Sequence, residues 1–103
     1  MFLAKVIGSV VATKKDREMQ GRKLLILRPL LIDEANPGQF RPGTNTVVAV
    51  DSLGVGEGET VLFCQGSSAR LADGMKAVPI DAAVVGIVDA VTVRGKSIYK
   101  SST

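Results

Sequence analysis

The sequence contains no histidine and a single cysteine, Cys64, among its 103 residues. Histidine is the commonest general base and metal ligand at neutral pH, so its absence argues against both kinds of site. One thiol cannot form an internal disulfide, and without histidine it cannot complete a zinc site. Cys64 lies in the apolar run 61–64, which predicts a buried, unreactive thiol. We therefore expect no catalytic residue, no cofactor, no metal and no enzyme activity.

Aromatic side chains and excess charge are also scarce. The aromatic residues are Phe2, Phe40, Phe63 and Tyr99, scattered along the chain, and the formal net charge is +3. This charge permits nucleic-acid binding, but proteins that bind single strands stack the bases on aromatic platforms. No apolar run reaches the length of a membrane span, and Lys5 interrupts the apolar start, unlike a signal peptide. The sequence thus predicts a cytoplasmic protein that binds no membrane.

The most informative stretch is 79–93, in which neither alternating side is polar. One side carries Val84, Gly86, Val88 and Ala90, and the other Val85, Ile87, Val91 and Val93. A strand that is apolar on both faces must be covered on both. Residues 1–13 show the same pattern, with Leu3, Ile7 and Val11 opposite a second apolar set. One set is predicted to form the core and the other to pack against a neighbouring subunit.

The remaining pattern predicts a mainly β chain. We expect five main strands at 1–13, 23–27, 46–50, 60–64 and 79–93, with 30–32 resuming the second strand after Pro29. A short helix at 66–74 lies between strands 4 and 5, and 97–100 forms an edge strand. The glycine-rich segment 54–58 is interpreted as a turn, because it leads into a strand and not into a helix as phosphate loops do. The pattern thus predicts a small, closed or nearly closed β-barrel of five strands, like the OB architecture.

Acidic residues near the strand ends are the candidates for any chemistry. We interpret Asp51 and Asp81 as turn or cap residues, and Asp89 as an interface or barrel-end carboxylate. A single domain is expected over 1–103, with a long Pro- and Gly-rich loop at 33–46 and a C-terminal tail at 94–103.

Seven short motifs follow one another along the chain: LAKVIG at 3–8, GRKLL at 21–25, AVDSLGVG at 49–56, GETVL at 58–62, GSSAR at 66–70, PIDA at 79–82 and VGIVD at 85–89. In this order and spacing they resemble the EutN/CcmL family of bacterial microcompartment vertex proteins. The resemblance covers nearly the whole chain. It departs from the family at Val55, where alanine is more usual, and at 33–46, which is longer and richer in proline. That loop either projects into solvent or meets neighbouring shell tiles.

The resemblance implies a homopentamer that caps the vertices of a microcompartment shell and contacts hexameric shell proteins. It also implies a narrow axial opening. The interface or pore candidates are Gly66, Ser67, Ser68, Arg70, Val85, Ile87 and Asp89. The alternative function is that of an OB-fold protein binding single-stranded nucleic acid.

Overall fold

A computed structural model describes residues 1–12, 17, 21–71 and 80–101. The strands are β1 (Phe2–Val10), β2 (Lys23–Ile32), β3 (Phe40–Pro42), β4 (Val47–Asp51), β5 (Thr60–Gln65), β6 (Ala82–Ile87), β7 (Ala90–Val93) and β8 (Lys96–Lys100). A 3-10 helix, Gly66–Leu71, lies between β5 and β6. Its predicted continuation to residue 74 lies outside the described residues.

The main sheet closes on itself. Its order is β1-β5-β6-β4-β2-β3, and an additional antiparallel pairing of β1 with β2 joins the two ends of the five main strands. The one parallel contact within this ring, β4 with β6, is made where Val50 lies opposite Ala83. Closure pairs the edges that an open sheet would leave exposed. The predicted OB-like barrel, with a short helix before its last strand, is confirmed.

The barrel interior is filled by apolar side chains from all five of these strands. The central cluster comprises Ala4, Val6, Leu25, Leu27, Ala49, Val55, Val61, Phe63, Ala82 and Val84. A second cluster lies under the 3-10 helix and comprises Leu24, Val50, Ala69, Ile80 and Ala83. Adjacent residues such as Leu24 and Leu25 therefore enter different clusters, because successive strand side chains point to opposite faces. This is why β2 and β4 read as continuous apolar runs.

Val55 belongs to the core although it lies in the glycine-rich turn and not in a strand. Its side chain is fully buried within the central cluster, between Gly54 at φ 78° and Gly58 at φ 91°. These positive φ values favour glycine and let the chain turn sharply. The turn thus places an apolar side chain in the barrel, which the sequence pattern of a simple turn did not indicate.

Replacing Val55 by alanine is expected to lower the free energy of unfolding by about 2 kcal/mol, since it removes two buried carbon atoms and leaves a cavity. Chemical unfolding followed by circular dichroism measures the difference. Val11→Ala is the control, because Val11 is 90% exposed. Equal stability of the two variants would contradict the placement of Val55 in the core.

Two bulges in the barrel, and a third register shift in the β7–β8 pair, break the strict alternation that the sequence analysis assumed. In β1 the register with β2 shifts between Val6 and Gly8, which leaves Ile7 as the extra residue. In β6 Phe63 lies opposite Val84 and Leu62 opposite Gly86, which leaves Val85 extra. A bulge inserts one residue and reverses the facing of those that follow. Val84 and Gly86, predicted to share a side, therefore face opposite sides of the wall.

The prediction of one strand over 79–93 is wrong, because the chain leaves the barrel after Ile87. β6 ends there, and β7 pairs only with β8, in a separate two-stranded sheet. The amide of Val88 donates to the carbonyl of Thr60 at 2.9 Å, which ends the barrel contact. Residues 94–103 are consequently more than a tail, since β8 lies within them. Residue 79 is outside the described residues.

The loop prediction at 33–46 and the burial of Cys64 are also corrected. Residues 40–42 form β3, which pairs with β2 and makes this segment a hairpin closed by the turn at 33–39. Asp33 stabilises that turn by accepting from the amides of Ala35 and Asn36. Cys64 lies opposite Ala83 on the outer side of the wall and is only half-buried, since its inward neighbour is Phe63.

Candidate assembly surface

A ladder of apolar side chains crosses the outside of the barrel. Leu30 of β2 lies opposite Leu3 of β1, Leu3 opposite Leu62 of β5, and Leu62 opposite Gly86 of β6. These positions alternate with inward residues such as Ala4, Val61 and Phe63, so they face outward. We call Leu30, Leu3, Leu62 and Gly86 the apolar stripe. Each is half-buried in the isolated chain, which leaves apolar surface on the exterior.

A second apolar patch lies on β2 and β4. Ile26 lies opposite Val48 on one side and Gly8 on the other, and Val48 is 50% exposed. Between this patch and the apolar stripe, Lys5 lies opposite Arg28. A row of cations therefore separates two apolar surfaces on one barrel. A chain with two separate apolar surfaces can bind a neighbouring subunit on each of two sides.

A third feature is an acidic notch, a cavity of about 500 Å³ where the barrel meets the β7–β8 hairpin. It is lined by Glu57, Gly58, Glu59, Ile87, Val88, Asp89, Tyr99 and Ser101. Ile87 is 46% exposed, while Val88 beside it is 9% exposed. The three carboxylates share the lining of the notch with these two apolar side chains. Ile87 lies opposite the inward residue Val61, so it is on the other side of the barrel wall from Gly86 and the apolar stripe.

The turn that carries Glu57 and Glu59 is held by Asp51 at the end of β4. Oδ1 of Asp51 accepts from the amide of Leu53 at 2.8 Å, and Oδ2 accepts from the amide of Val55 at 2.7 Å. Lys23 Nζ donates to the carbonyl of Val55 at 2.7 Å. Asp51 is 5% exposed. Its interpretation as a turn residue is confirmed, and its carboxylate is occupied by backbone amides.

Two hairpins form an arm beside the notch. The rings of Phe40 in β3 and Tyr99 in β8 lie 6.5 Å apart, centroid to centroid, and tie the two hairpins together. The amide of Ser101 donates to the carbonyl of Asp89 at 2.7 Å, which closes the base of the β7–β8 hairpin. At the other end of the arm, Arg94 and Lys96 lie beside residues 36–38 around a groove of about 360 Å³.

The structure divides the predicted interface residues into two groups. Gly66 and Ser67 are exposed near the start of β6, where the amide of Gly66 donates to the carbonyl of Asp81 at 2.7 Å. Ile87 and Asp89 lie together in the acidic notch, beyond the end of β6. A six-residue strand separates the groups by about 20 Å. Asp81 is exposed, as a residue that precedes a strand can be.

The other candidates are placed less fully. Val85 is the half-buried bulge residue of β6. The backbones of Ser68 and Arg70 lie in the 3-10 helix, and their side chains lie outside what is described. The sequence analysis missed Leu30, Leu62 and the carboxylates of the notch. No sequence signal singles these out, because their proximity follows from strand register.

No arrangement suited to catalysis is found in the parts of the chain that the structure covers. Within them, no group of histidine, cysteine, aspartate or glutamate residues could hold a metal ion. No described helix has both the length and the apolar character needed to cross a bilayer. The fold and its surfaces define a small β-barrel that is built to contact other proteins.

Comparison with known proteins identifies the family. A family model described as "Ethanolamine utilisation protein EutN/carboxysome" matches residues 1–89. The chain is 46% identical over 91 residues to the bacterial microcompartment shell vertex protein GrpN of Rhodospirillum rubrum, which covers 88% of this chain and 96% of that protein. The chain belongs to the EutN/CcmL family.

Solved structures agree with this assignment. The structure of Gloeobacter violaceus CcmL superimposes with a TM-score of 0.85 at 40% identity and covers 100% of both chains. The structure titled "GrpN pentameric microcompartment shell protein from Rhodospirillum rubrum" gives a TM-score of 0.75 at 44% identity, covering 90% of this chain and 100% of that one. The chain is therefore a structural shell vertex protein and not an enzyme.

Proposed function

We propose that this chain assembles into a homopentamer that occupies the vertices of a microcompartment shell. The observation that carries the proposal is the apolar exterior of a closed barrel, the stripe Leu30, Leu3, Leu62 and Gly86. Burying apolar surface stabilises an assembly by roughly 25 cal/mol per Å². The pentameric GrpN structure, at 44% identity, supports a stoichiometry of five.

A ring of five requires each copy to use two different surfaces. In a head-to-tail contact, one surface of a copy meets another surface of the next, and the ring closes when the rotation does. The barrel offers two such surfaces, the apolar stripe and the patch around Ile26 and Val48. We propose that these two surfaces face each other across every subunit boundary. Val85 and Ile87 then lie at the edge of that boundary.

The other predicted residues are assigned to the second end of β6. Gly66 and Ser67 are exposed there, on a short 3-10 helix. We propose that the backbone of Gly66–Leu71, with Ser68 and Arg70, approaches the axial opening or a subunit boundary. Residues 90–101 are proposed to belong to the same unit as the barrel, which the contact between Tyr99 and Phe40 supports.

Shell partners follow from geometry. A flat six-fold layer closes into a shell only where five-fold units replace six-fold ones, so the proposed neighbours are hexameric shell proteins. The β2–β3 hairpin is an available contact, since Leu31 beside it is 40% exposed. Nucleic acid is not a proposed partner, because the aromatic rings pack as two pairs, Phe2 with Phe63 and Phe40 with Tyr99.

Native mass spectrometry of the purified chain is the direct test of the proposal. We expect a pentamer to dominate at micromolar concentration and to persist at physiological ionic strength, since apolar contacts are only weakly screened by salt. Small-angle scattering of the same sample should give the dimensions of a ring. A chain that stays monomeric, or that stops at a dimer, would remove the five-fold geometry on which the vertex function depends.

A further inference from the structure

The turn of the β7–β8 hairpin carries an unusual residue. Arg94 and Gly95 have φ values of 52° and 78°, so both central positions of this tight turn are left-handed. Such turns favour Asn-Gly or Gly-Gly, because most side chains are strained at positive φ. Arg94 is the one non-glycine residue with positive φ among those described. Arg94 thus occupies a position at which asparagine or glycine would fit the backbone better.

The cations of this turn have no partner among the described residues of their own chain. Arg94 and Lys96 are exposed, and their side chains make no hydrogen bond or ion pair with any described residue. We call Arg94, Gly95 and Lys96 the basic tip. Its charges are therefore available to a second molecule.

The acidic notch offers the complementary surface. The side chains of Glu57, Glu59 and Asp89 are exposed and likewise make no ion pair with the described residues. They line the notch together with Ile87, which is 46% exposed. The notch therefore combines exposed apolar surface with negative charge.

The basic tip cannot reach the notch of its own chain. Arg94 lies five residues beyond Asp89 on an extended strand, a separation of about 17 Å. The acidic surface that meets the tip must therefore belong to a second molecule, and another copy of the chain carries one.

Other cations are less suited to the role. Lys5 lies opposite Thr60 and Arg28 on the outer side of the barrel wall, which also carries the apolar stripe. Lys23 is already bonded to the carbonyl of Val55. The basic tip combines two exposed cations at the turn of a hairpin that lies outside the barrel sheet.

We infer that the acidic notch of each copy receives the basic tip of the adjacent copy, which gives the ring its direction and its contact register. This inference rests on the proposed pentamer and names the contact that orders it. Complementary charges at an interface disfavour wrong alignments and speed correct encounter. The apolar surfaces supply most of the attraction, and the tip and notch determine which surfaces meet.

Charge reversal in both partners tests the inference. The tip variant carries Arg94→Glu and Lys96→Glu, the notch variant carries Glu57→Lys and Asp89→Lys, and a third chain carries all four changes. Dissociation of each pentamer on dilution is measured by sedimentation at 0.15 M salt, where charges 17 Å apart within one chain are screened. Each double mutant should dissociate at a concentration at least about tenfold higher than the parent. The quadruple mutant should recover most of the lost affinity between subunits.

Recovery in the quadruple mutant supports the inference, since it requires the reversed groups to meet between copies. The inference would be overturned if the tip and notch double mutants assemble as tightly as the parent. It would also be overturned if the quadruple mutant assembles no more tightly than either double mutant. If the parent chain itself is not pentameric, the proposed function is wrong. If the parent is pentameric but the charge reversals have no effect, only the contact between tip and notch is wrong.

Arg94→Asn tests separately whether Arg94 serves assembly or only the conformation of the turn. The change relaxes the turn, so circular dichroism should show an equal or higher melting temperature for the barrel. The pentamer should nevertheless dissociate at a higher concentration. A variant that is more stable and also assembles as tightly would show that Arg94 is only a turn residue.

Discussion

Replacing Asp51 by alanine is expected to lower the free energy of unfolding by about 4 kcal/mol. The carboxylate accepts from the amides of Leu53 and Val55, and Asp51 is 5% exposed. Hydrogen bonds to a charged group contribute about 1.5–3 kcal/mol each, and the amides left behind would be unpaired. The same turn positions Val55 in the core and Glu57 in the notch. Loss of the Asp51 hydrogen bonds should therefore also disturb the packing of Val55 and the position of Glu57.

Chemical unfolding at matched protein concentration measures this effect, because the stability of an oligomer depends on concentration. Asp81→Ala is the matched control, since Asp81 is exposed and uses its backbone carbonyl, not its side chain, to accept from Gly66. We expect that control to stay within about 0.5 kcal/mol of the parent. Asp51→Asn should lie between them at about 2 kcal/mol, because an amide keeps one acceptor oxygen and not two. Equal values for Asp51→Ala and Asp81→Ala would refute the role of the carboxylate.

Ile87→Asp is expected to convert the pentamer into folded monomers. Ile87 is 46% exposed in the isolated chain, so a carboxylate there meets water when the barrel is alone. In the assembly the same carboxylate would be desolvated beside Glu57, Glu59 and Asp89, which is unfavourable for a charge without a partner. Native mass spectrometry reports the stoichiometry, and circular dichroism reports the fold.

The neighbouring substitution separates assembly from folding. Val88 is 9% exposed, so Val88→Asp should unfold the barrel itself. An Ile87→Asp chain that remains pentameric would show that this side chain lies outside the subunit contact. One that loses its β signal would show instead that Ile87 supports the core. The two variants differ by one position and test opposite sides of the same strand end.

Much of the fold could be predicted because its signals are local. Apolar runs located the five barrel strands, although the run at 79–93 was read as one strand where the chain forms two, and the glycines at 54 and 58 marked a turn with positive φ. The resemblance, carried by runs such as PIDA and AVDSLGVG, indicated the family from the sequence alone. Errors clustered where a single residue changes the register. Val85 in β6 and Ile7 in β1 are indistinguishable in the sequence from ordinary strand residues.

The candidate surface was predicted only in part. One of two apolar sets was expected outside the core, without a choice between them. The structure leaves one of these sets exposed or half-buried in the single chain: Leu3, Ile7, Val11, Val85, Ile87, Val91 and Val93. Their continuity was not predictable, since Leu62 and Leu30 join Leu3 through strand pairing. The acidic notch was also missed, because residues 57, 87 and 99 are far apart in the chain.

Composition and local pattern were enough to predict a small β-barrel with more apolar strand surface than one core can cover. They also showed that the chain lacks histidine for catalysis or metal binding and lacks clustered aromatic residues for binding nucleic acid. These properties depend on residue type and on spacing of a few positions, which the chain carries directly. The order of the strands, the two bulges and the separation of notch from tip arose only when distant segments paired. Pairing is a long-range outcome, and a shift of one residue moves a side chain from the interior to the surface.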